Sequence, residues 1–345
     1  MILGRIDRIK KYIKLLVAYP NYQEVFHMLK KQEKNRAILI GTPIHGNLGD
    51  SLIARQCLLY LKGMYSKVVE IPEFLYELFS DKLVINEDDD IYVCGGGWMG
   101  NLYEDELVVE DILDNYLKNQ VIILPQTVCF SHNGKYSSIE NLKKKLIAND
   151  RAILCVRDRA SYVFALNNLG LVESRCFLLP DMALLGLKDM LSNEKSEKKI
   201  IFSIRNDIEK CTSDADIDAI RLSLSSRGYR CVDSSTVINK KIVKIRQRDR
   251  FVNDKIREYS EADLIITDRL HSMVFALLAG KKCIAIDNST HKVEGVYREW
   301  LPNMKGLIVL RSSSELTIDI VNELLASGEL PEPIDLKNRF VELKR

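Results

Sequence analysis

An α/β protein of two Rossmann-like, doubly wound domains facing each other across a cleft is expected from three observations on this 345-residue chain. From residue 37 onward, short apolar runs alternate with helical stretches, a pattern that calls for βαβ crossovers and parallel strands. The alternation pauses once, in the polar stretch at residues 192–199, and then resumes. The length also suits two domains of about 150 residues each.

Taken in order, residues 1–36 stand apart. They hold nine Lys/Arg and three acids, a net +6, which leaves −4 for the rest of a chain of net +2. Ile2, Ile6, Ile9, Ile13 and Leu16 recur at helical spacing among Arg5, Arg8, Lys10, Lys11 and Lys14. This is a basic amphipathic helix ending near Pro20. Residues 1–18 either lie on an anionic membrane surface or pack on the protein with a solvated basic side.

The first domain, residues 37–191, has strands expected at 37–41, 68–71, 91–94, 121–125, 152–156 and 176–179, with helices at 50–65, 106–119, 137–149 and 159–168. Residues 192–199 read as a linker. The second domain, 200–312, has strands at 200–204, 230–232, 264–267 and 283–286, and helices at 213–227, 250–260 and 272–279. A tail, 313–345, holds a helix around 315–327 and a short last helix after Pro331 and Pro333. Ligands of such sheets bind at the carboxyl ends of the strands.

Composition excludes several classes. Hydrophobic residues at 46% and charged residues at 28% are those of a globular protein. With Lys+Arg 50 against Asp+Glu 48 there is no basic field for nucleic acid. No run of about 18 apolar residues is present, so a spanning helix is not expected. Charges threaded through the first residues argue against a secretory signal and for a cytoplasmic protein. The eight cysteines (57, 94, 129, 155, 176, 211, 231, 283) form no CxxC pair. They are expected to be reduced, buried hydrophobes rather than metal ligands or disulfides.

Three loops at strand ends carry the candidate chemistry. The first, residues 40–50, contains Gly46, Asn47, Gly49 and Asp50 at the opening of a helix, where backbone N–H groups attract anions. It is neither GxGxxG nor GxxxxGK[ST], and Asp50 alone also reads as a helix N-cap. The second holds Gly95, Gly96 and Gly97. Three successive glycines are costly in backbone entropy, which points to close passage of a substrate or to a sharp turn under Trp98. The third, Asp268-Arg269-Leu270-His271, stands between an apolar strand and an apolar helix, so Arg269 and His271 can meet an anion at the helix N-terminus. Arg157 and Arg205 also end strands, placing guanidinium forks at the cleft, with ion pairs to Asp158 or Asp207 as the plainer reading.

His45-Gly46-Asn47-Leu48-Gly49-Asp50, Gly95-Gly96-Gly97, Val156-Arg157-Asp158, Pro180-Asp181-Met182-Ala183 and Asp268-Arg269-Leu270-His271 together resemble the polysaccharide pyruvyl transferase family over about residues 37–310. The resemblance implies a glycosyltransferase-B-like fold. It also implies transfer of the pyruvyl group of phosphoenolpyruvate to a saccharide as a cyclic ketal, with release of phosphate and with no cofactor or metal. In that setting Arg269, Leu270 and His271 bind and activate the donor, and Arg157 is the strand-end arginine. Arg205 rests on its position alone. His271 is the general acid expected from an imidazole's ordinary titration range, and Asp50 or Asp181 the base, although Asp181 also reads as a structural cap. A lipid-linked acceptor would give the basic first helix a purpose.

Two other readings stand beside this one. A nucleotide-sugar glycosyltransferase of the same architecture would use a ribose-gripping acid, for which Glu294 is loosely placed. A non-catalytic saccharide-binding protein would rely on aromatic platforms instead of the Arg/His cluster.

Overall fold

The computed structural model describes residues 13, 23–31, 33, 35–104, 106–132, 134–191, 198–207, 209–239 and 242–343. The basic helix expected within residues 1–18 lies outside the described residues except for Ile13, and so does most of the 192–199 linker.

Two parallel sheets form, as expected. The first contains β1 (Arg36–Thr42), β2 (Lys67–Pro72), β3 (Asp90–Val93), β4 (Gly96–Gly100), β5 (Val121–Cys129), β6 (Ala152–Val156) and β7 (Cys176–Leu178). Its order is β2-β1-β3-β5-β6-β7, with β4 paired to β5 off that path. The second contains β8 (Lys199–Ser203), β9 (Arg230–Asp233), β10 (Leu264–Thr267), β11 (Lys282–Ile286) and β12 (Leu307–Leu310), in the order β12-β11-β10-β8-β9. Both faces of such sheets are covered by helices, so their strands are continuous apolar runs. Every residue of β6 and β10 is buried.

The helices are α1 (Gln23–Leu29), α2 (Leu48–Lys62), α3 (Glu73–Phe79), α4 (Glu106–Asn115), α5 (Ile139–Ala148), α6 (Arg159–Asn168), α7 (Asp214–Ser226), α8 (Ile245–Ser260), α9 (Leu270–Leu278), α10 (Lys292–Trp300) and α11 (Ile318–Ala326). Several begin where a short polar side chain caps the first turn. Ser138, Asp158, Ser213 and Thr317 each accept a backbone N–H there. Helix α8 starts at Ile245, before the expected residue 250, and no side chain caps it.

The two halves share one core. Leu48 and Leu52 of α2, Met182 and Leu184 of the 3₁₀ turn Met182–Asp189, and Leu270 and Met273 of α9 belong to a single buried cluster. The tail returns to the first half, where Phe340 packs against Tyr60 with ring centroids 5.2 Å apart. This continuity holds the carboxyl ends of both sheets against one cleft.

The cysteine expectation needs one correction. Cys57, Cys94, Cys155, Cys176 and Cys283 are buried and free, and Cys129 and Cys231 are half-buried. Cys211, in the loop before α7, is exposed. Among the described residues no helix is long and apolar enough to cross a membrane.

Candidate active site

A cavity of about 410 Å³ lies between the sheets, lined from the first half by residues after β1, β3 and β6 and from the second by residues after β8, β10 and β11. Arg157, Arg205, Arg269, Leu270 and His271 all line it. Strand tips therefore bring together the basic residues that the sequence separates by up to 114 positions.

Arg157 is 1% exposed. Its Nε donates to Thr127 Oγ1 at 2.8 Å, its Nη1 pairs with Asp181 Oδ2, and its carbonyl accepts from Trp300 Nε1 at 2.7 Å. Asp181 also accepts from Ala183 N at 2.8 Å, capping the 3₁₀ turn, and its Oδ2 stands 3.6 Å from His271 Nε2. Burial pushes the Asp181 carboxyl up, but the Arg157 guanidinium and then His271 hold it well below the usual carboxylate range. Asp181 thus ties together an arginine of one sheet and the histidine of the other. The plainer pairing of Arg157 with Asp158 does not form. Asp158 instead caps α6 and accepts from Thr127 Oγ1 at 2.9 Å.

Opposite, Arg205 Nε donates to Asp207 at 2.8 Å and its Nη2 lies 3.1 Å from Glu209. Arg269 precedes the first turn of α9 with an extended backbone and no side-chain cap, and its Nη2 lies 3.3 Å from Asp207. Asp268 faces inward, accepting from Arg205 N at 2.7 Å and Thr212 Oγ1 at 2.9 Å, so it braces the loop instead of entering the cleft. Burial pushes its carboxyl up.

Four further wall residues, Lys292, Glu209, Tyr103 and Asn288, carry no signal in the sequence. Lys292, at the start of α10, reaches Gly97 O at 3.3 Å and Glu209 Oε1 at 3.2 Å, and Tyr103 donates to the same Glu209 oxygen at 2.8 Å. Burial pushes the Lys292 ammonium below its ordinary range against the pull of Glu209. Burial raises the Glu209 carboxyl, but Lys292 and Arg205 more than offset this and leave it below its ordinary range. Asn288 completes the set. A lone lysine in His291-Lys292-Val293-Glu294 and an acid 83 residues away carry no local pattern, so only the fold could reveal them.

The glycine loops divide. Asn47 and Asp50 line the cleft, as do Gly95 and Gly97. Asn47, not Asp50, caps α2, accepting from Gly49 N at 3.1 Å while its Nδ2 donates to Asp50 at 2.7 Å. Gly46, Gly49, Gly96 and Asp181, also expected to contact substrate, are not among the residues that line the cavity. The Gly46 carbonyl accepts from Ile238 N at 2.9 Å, joining the two halves. Gly49 makes room for the His271 ring: a Cβ there would lie 2.4 Å from His271 Nδ1. At Gly97 a Cβ would lie 2.6 Å from Arg157 Nη2. Of the expected loop at 95–97, Gly96 and Gly97 are in fact the start of β4, and Gly95 precedes it.

Among the described residues, Asp287, His291 and Glu294 are close enough together to hold a metal ion. The same atoms have other duties. Asp287 accepts from His291 Nδ1 at 2.7 Å and from Glu294 N at 3.1 Å, and Glu294 pairs with Arg298 and Arg311. Glu294 is also not on the cleft wall, which removes the ribose-gripping position considered for it.

Two parallel sheets that meet at a cleft at their carboxyl ends define a glycosyltransferase-B-like fold. The chain belongs to the polysaccharide pyruvyl transferase family, which it matches over residues 47–290. It is 25% identical over 322 residues to General stress protein 30 of Bacillus subtilis, an alignment covering 90% of this chain and 91% of that protein. It is 26% identical over 337 residues to Pyruvyl transferase 1 of Schizosaccharomyces pombe, covering 91% and 80%. A solved structure of a functionally uncharacterized Klebsiella pneumoniae protein shares the fold at a TM-score of 0.53 and 20% identity, covering 83% of this chain and 94% of that one.

Proposed function

We propose that the protein transfers the pyruvyl group of phosphoenolpyruvate to two hydroxyls of a saccharide, forming a cyclic ketal and releasing phosphate. The observation that carries this reading is the convergence of Arg157, Arg205, Arg269, His271 and Lys292, from separate strand ends of both sheets, on the wall of one cavity. Guanidinium forks and an ammonium meeting in this way suit a compact ligand bearing both a carboxylate and a phosphate.

In this reading His271, oriented by Asp181, gives a proton to the methylene carbon while a saccharide hydroxyl bonds to C2. The hydroxyl's proton passes to a carboxylate. Asp50 fits that role, because it lines the cleft and is part-exposed, whereas Asp181 is sealed behind the wall and committed to Arg157. A second hydroxyl then attacks C2 and passes its proton to the departing phosphate as the C–O bond breaks, and Arg205, Arg269 and Lys292 take up the remaining charge. No electrons are exchanged, so no redox cofactor enters the balance. A lipid-linked acceptor would place residues 1–18 at a membrane surface. Unchanged membrane partitioning on their removal would refute that link.

Incubation with phosphoenolpyruvate and a panel of glycans tests the function. Phosphate release coupled to an acceptor mass gain of one pyruvyl ketal is expected. Stabilisation by a nucleoside diphosphate but not by phosphoenolpyruvate would overturn it.

A further inference from the structure

We propose that the Trp98 indole is the stacking platform for the acceptor saccharide, on the first-sheet side of the cleft. The identity of this ligand rests on the pyruvyl-transfer reading, but its binding is measurable without any transfer.

Trp98 sits on β4, the strand that leaves the main path of the first sheet and pairs only with β5. It is half-buried on the cleft wall, and among the described residues its Nε1 donates to nothing. The ring has a seat made for it. A Cβ on residue 96 would lie 2.4 Å from Trp98 Nε1 and 2.5 Å from Cδ1, so the pyrrole edge rests on the bare backbone of Gly96. Gly97 serves the other side of the strand, leaving space for Arg157 and Lys292. Two of the three successive glycines therefore have separate duties, one toward the anion site and one toward the indole.

The half that carries Trp98 lines the cleft with His45, Asn47, Asp50 and Glu73 as well as Arg157, and the second half adds Arg205, Arg269 and Lys292 with Asp207 and Glu209. Carboxylates and amides suit the rim hydroxyls of a sugar and repel a phosphate. A flat indole with an open N–H suits the C–H face of a pyranose and one of its hydroxyls. The other cleft aromatic, Tyr103, is committed to Glu209, and Trp300 is buried with its N–H donated to Arg157 O. Among the described residues, Trp98 is therefore the one aromatic face on the cleft wall that is left for a saccharide.

The chain has two tryptophans, and only Trp98 faces the cleft, so its fluorescence reports occupancy directly. Titration with methyl glycosides of glucose, galactose, mannose and N-acetylglucosamine should quench or shift the emission saturably with at least one of them. Trp98→Phe should abolish that response. In the transfer assay Trp98→Ala should raise the acceptor KM by about tenfold while leaving the KM for phosphoenolpyruvate within a factor of about two. A flat titration across the panel overturns the proposal, as does an unchanged acceptor KM in Trp98→Ala. If no form of the enzyme transfers pyruvyl but the glycosides still quench Trp98, the platform stands and the donor reading fails.

Discussion

Replacing Gly49 with alanine should damage both stability and turnover, although the same change in an ordinary helix helps by up to about 1 kcal/mol. Gly49 lies in the first turn of α2, and the His271 ring and its Cβ press on it from the other half of the molecule. A new Cβ would be 2.4 Å from Nδ1 and 2.6 Å from the His271 Cβ and Cγ. Reaching the 3.0 Å that real contacts require means a retreat of at least about 0.6 Å. Because the His271 Cβ is itself in contact, a ring rotation alone cannot provide it, and α2 and α9 must part. Overpacking of this kind costs about 1–3 kcal/mol, more than the propensity gain. The shift also moves the imidazole relative to Asp181, now 3.6 Å away. Misplacement approaching 1 Å at a reacting group costs up to about 100-fold in rate. Urea unfolding and phosphate release on purified Gly49→Ala read the two effects. A variant as stable and as fast as the parent would show that His271 does not lean on α2 as described.

Other substitutions separate the roles of the wall. His271→Ala should lower turnover by about 10²–10⁴-fold while phosphoenolpyruvate still raises the melting temperature, and near-normal phosphate release would remove it from the chemistry. Lys292→Met should weaken phosphoenolpyruvate about 10–100-fold by calorimetry, the loss of one or two charge-assisted contacts. Since the Lys292 ammonium titrates below the ordinary lysine value of about 10.4, donor affinity in the parent should fall as pH rises before that value is reached. Asp181→Asn leaves the Arg157 charge buried without its counter-ion and should cost about 3–5 kcal/mol in denaturant. The Asp181 carboxyl titrates lower in the folded than in the unfolded chain, so the unfolded chain takes up its proton first. Its contribution is complete above about pH 3.9 and is lost as pH falls below it, and Asp181→Asn should flatten that acid limb of the stability profile.

Much of the fold was legible because a parallel sheet buried on both faces writes itself as uninterrupted apolar runs. The strands at 152–156 and 264–267 end where Arg157 and Asp268 interrupt such runs, and the structure places them at those residues. The position of Arg157, Arg205, Arg269 and His271 followed from the same cue, a charge at a strand tip before a helix. Where that cue was missing, reading failed. Helix α3 begins directly after Pro72 with no side-chain cap, and three of the five residues of β4 are glycines, which disfavour a strand. Lys292 and Tyr103 meet at Glu209 from positions 83 and 106 residues away, a convergence that exists only in three dimensions. Asp181 was visible in the sequence but ambiguous between cap and base. The structure makes it a cap that also aligns Arg157 and His271.

Transfer carried out in deuterium oxide, followed by NMR of the modified saccharide, examines the central claim most directly. If an acid in this cleft protonates the methylene carbon of phosphoenolpyruvate as a hydroxyl joins C2, the methyl group of the product ketal carries one deuterium from solvent and phosphate appears in equal amount. A product whose methyl group lacks solvent deuterium, or a saccharide returned unmodified while phosphoenolpyruvate is consumed, would contradict it.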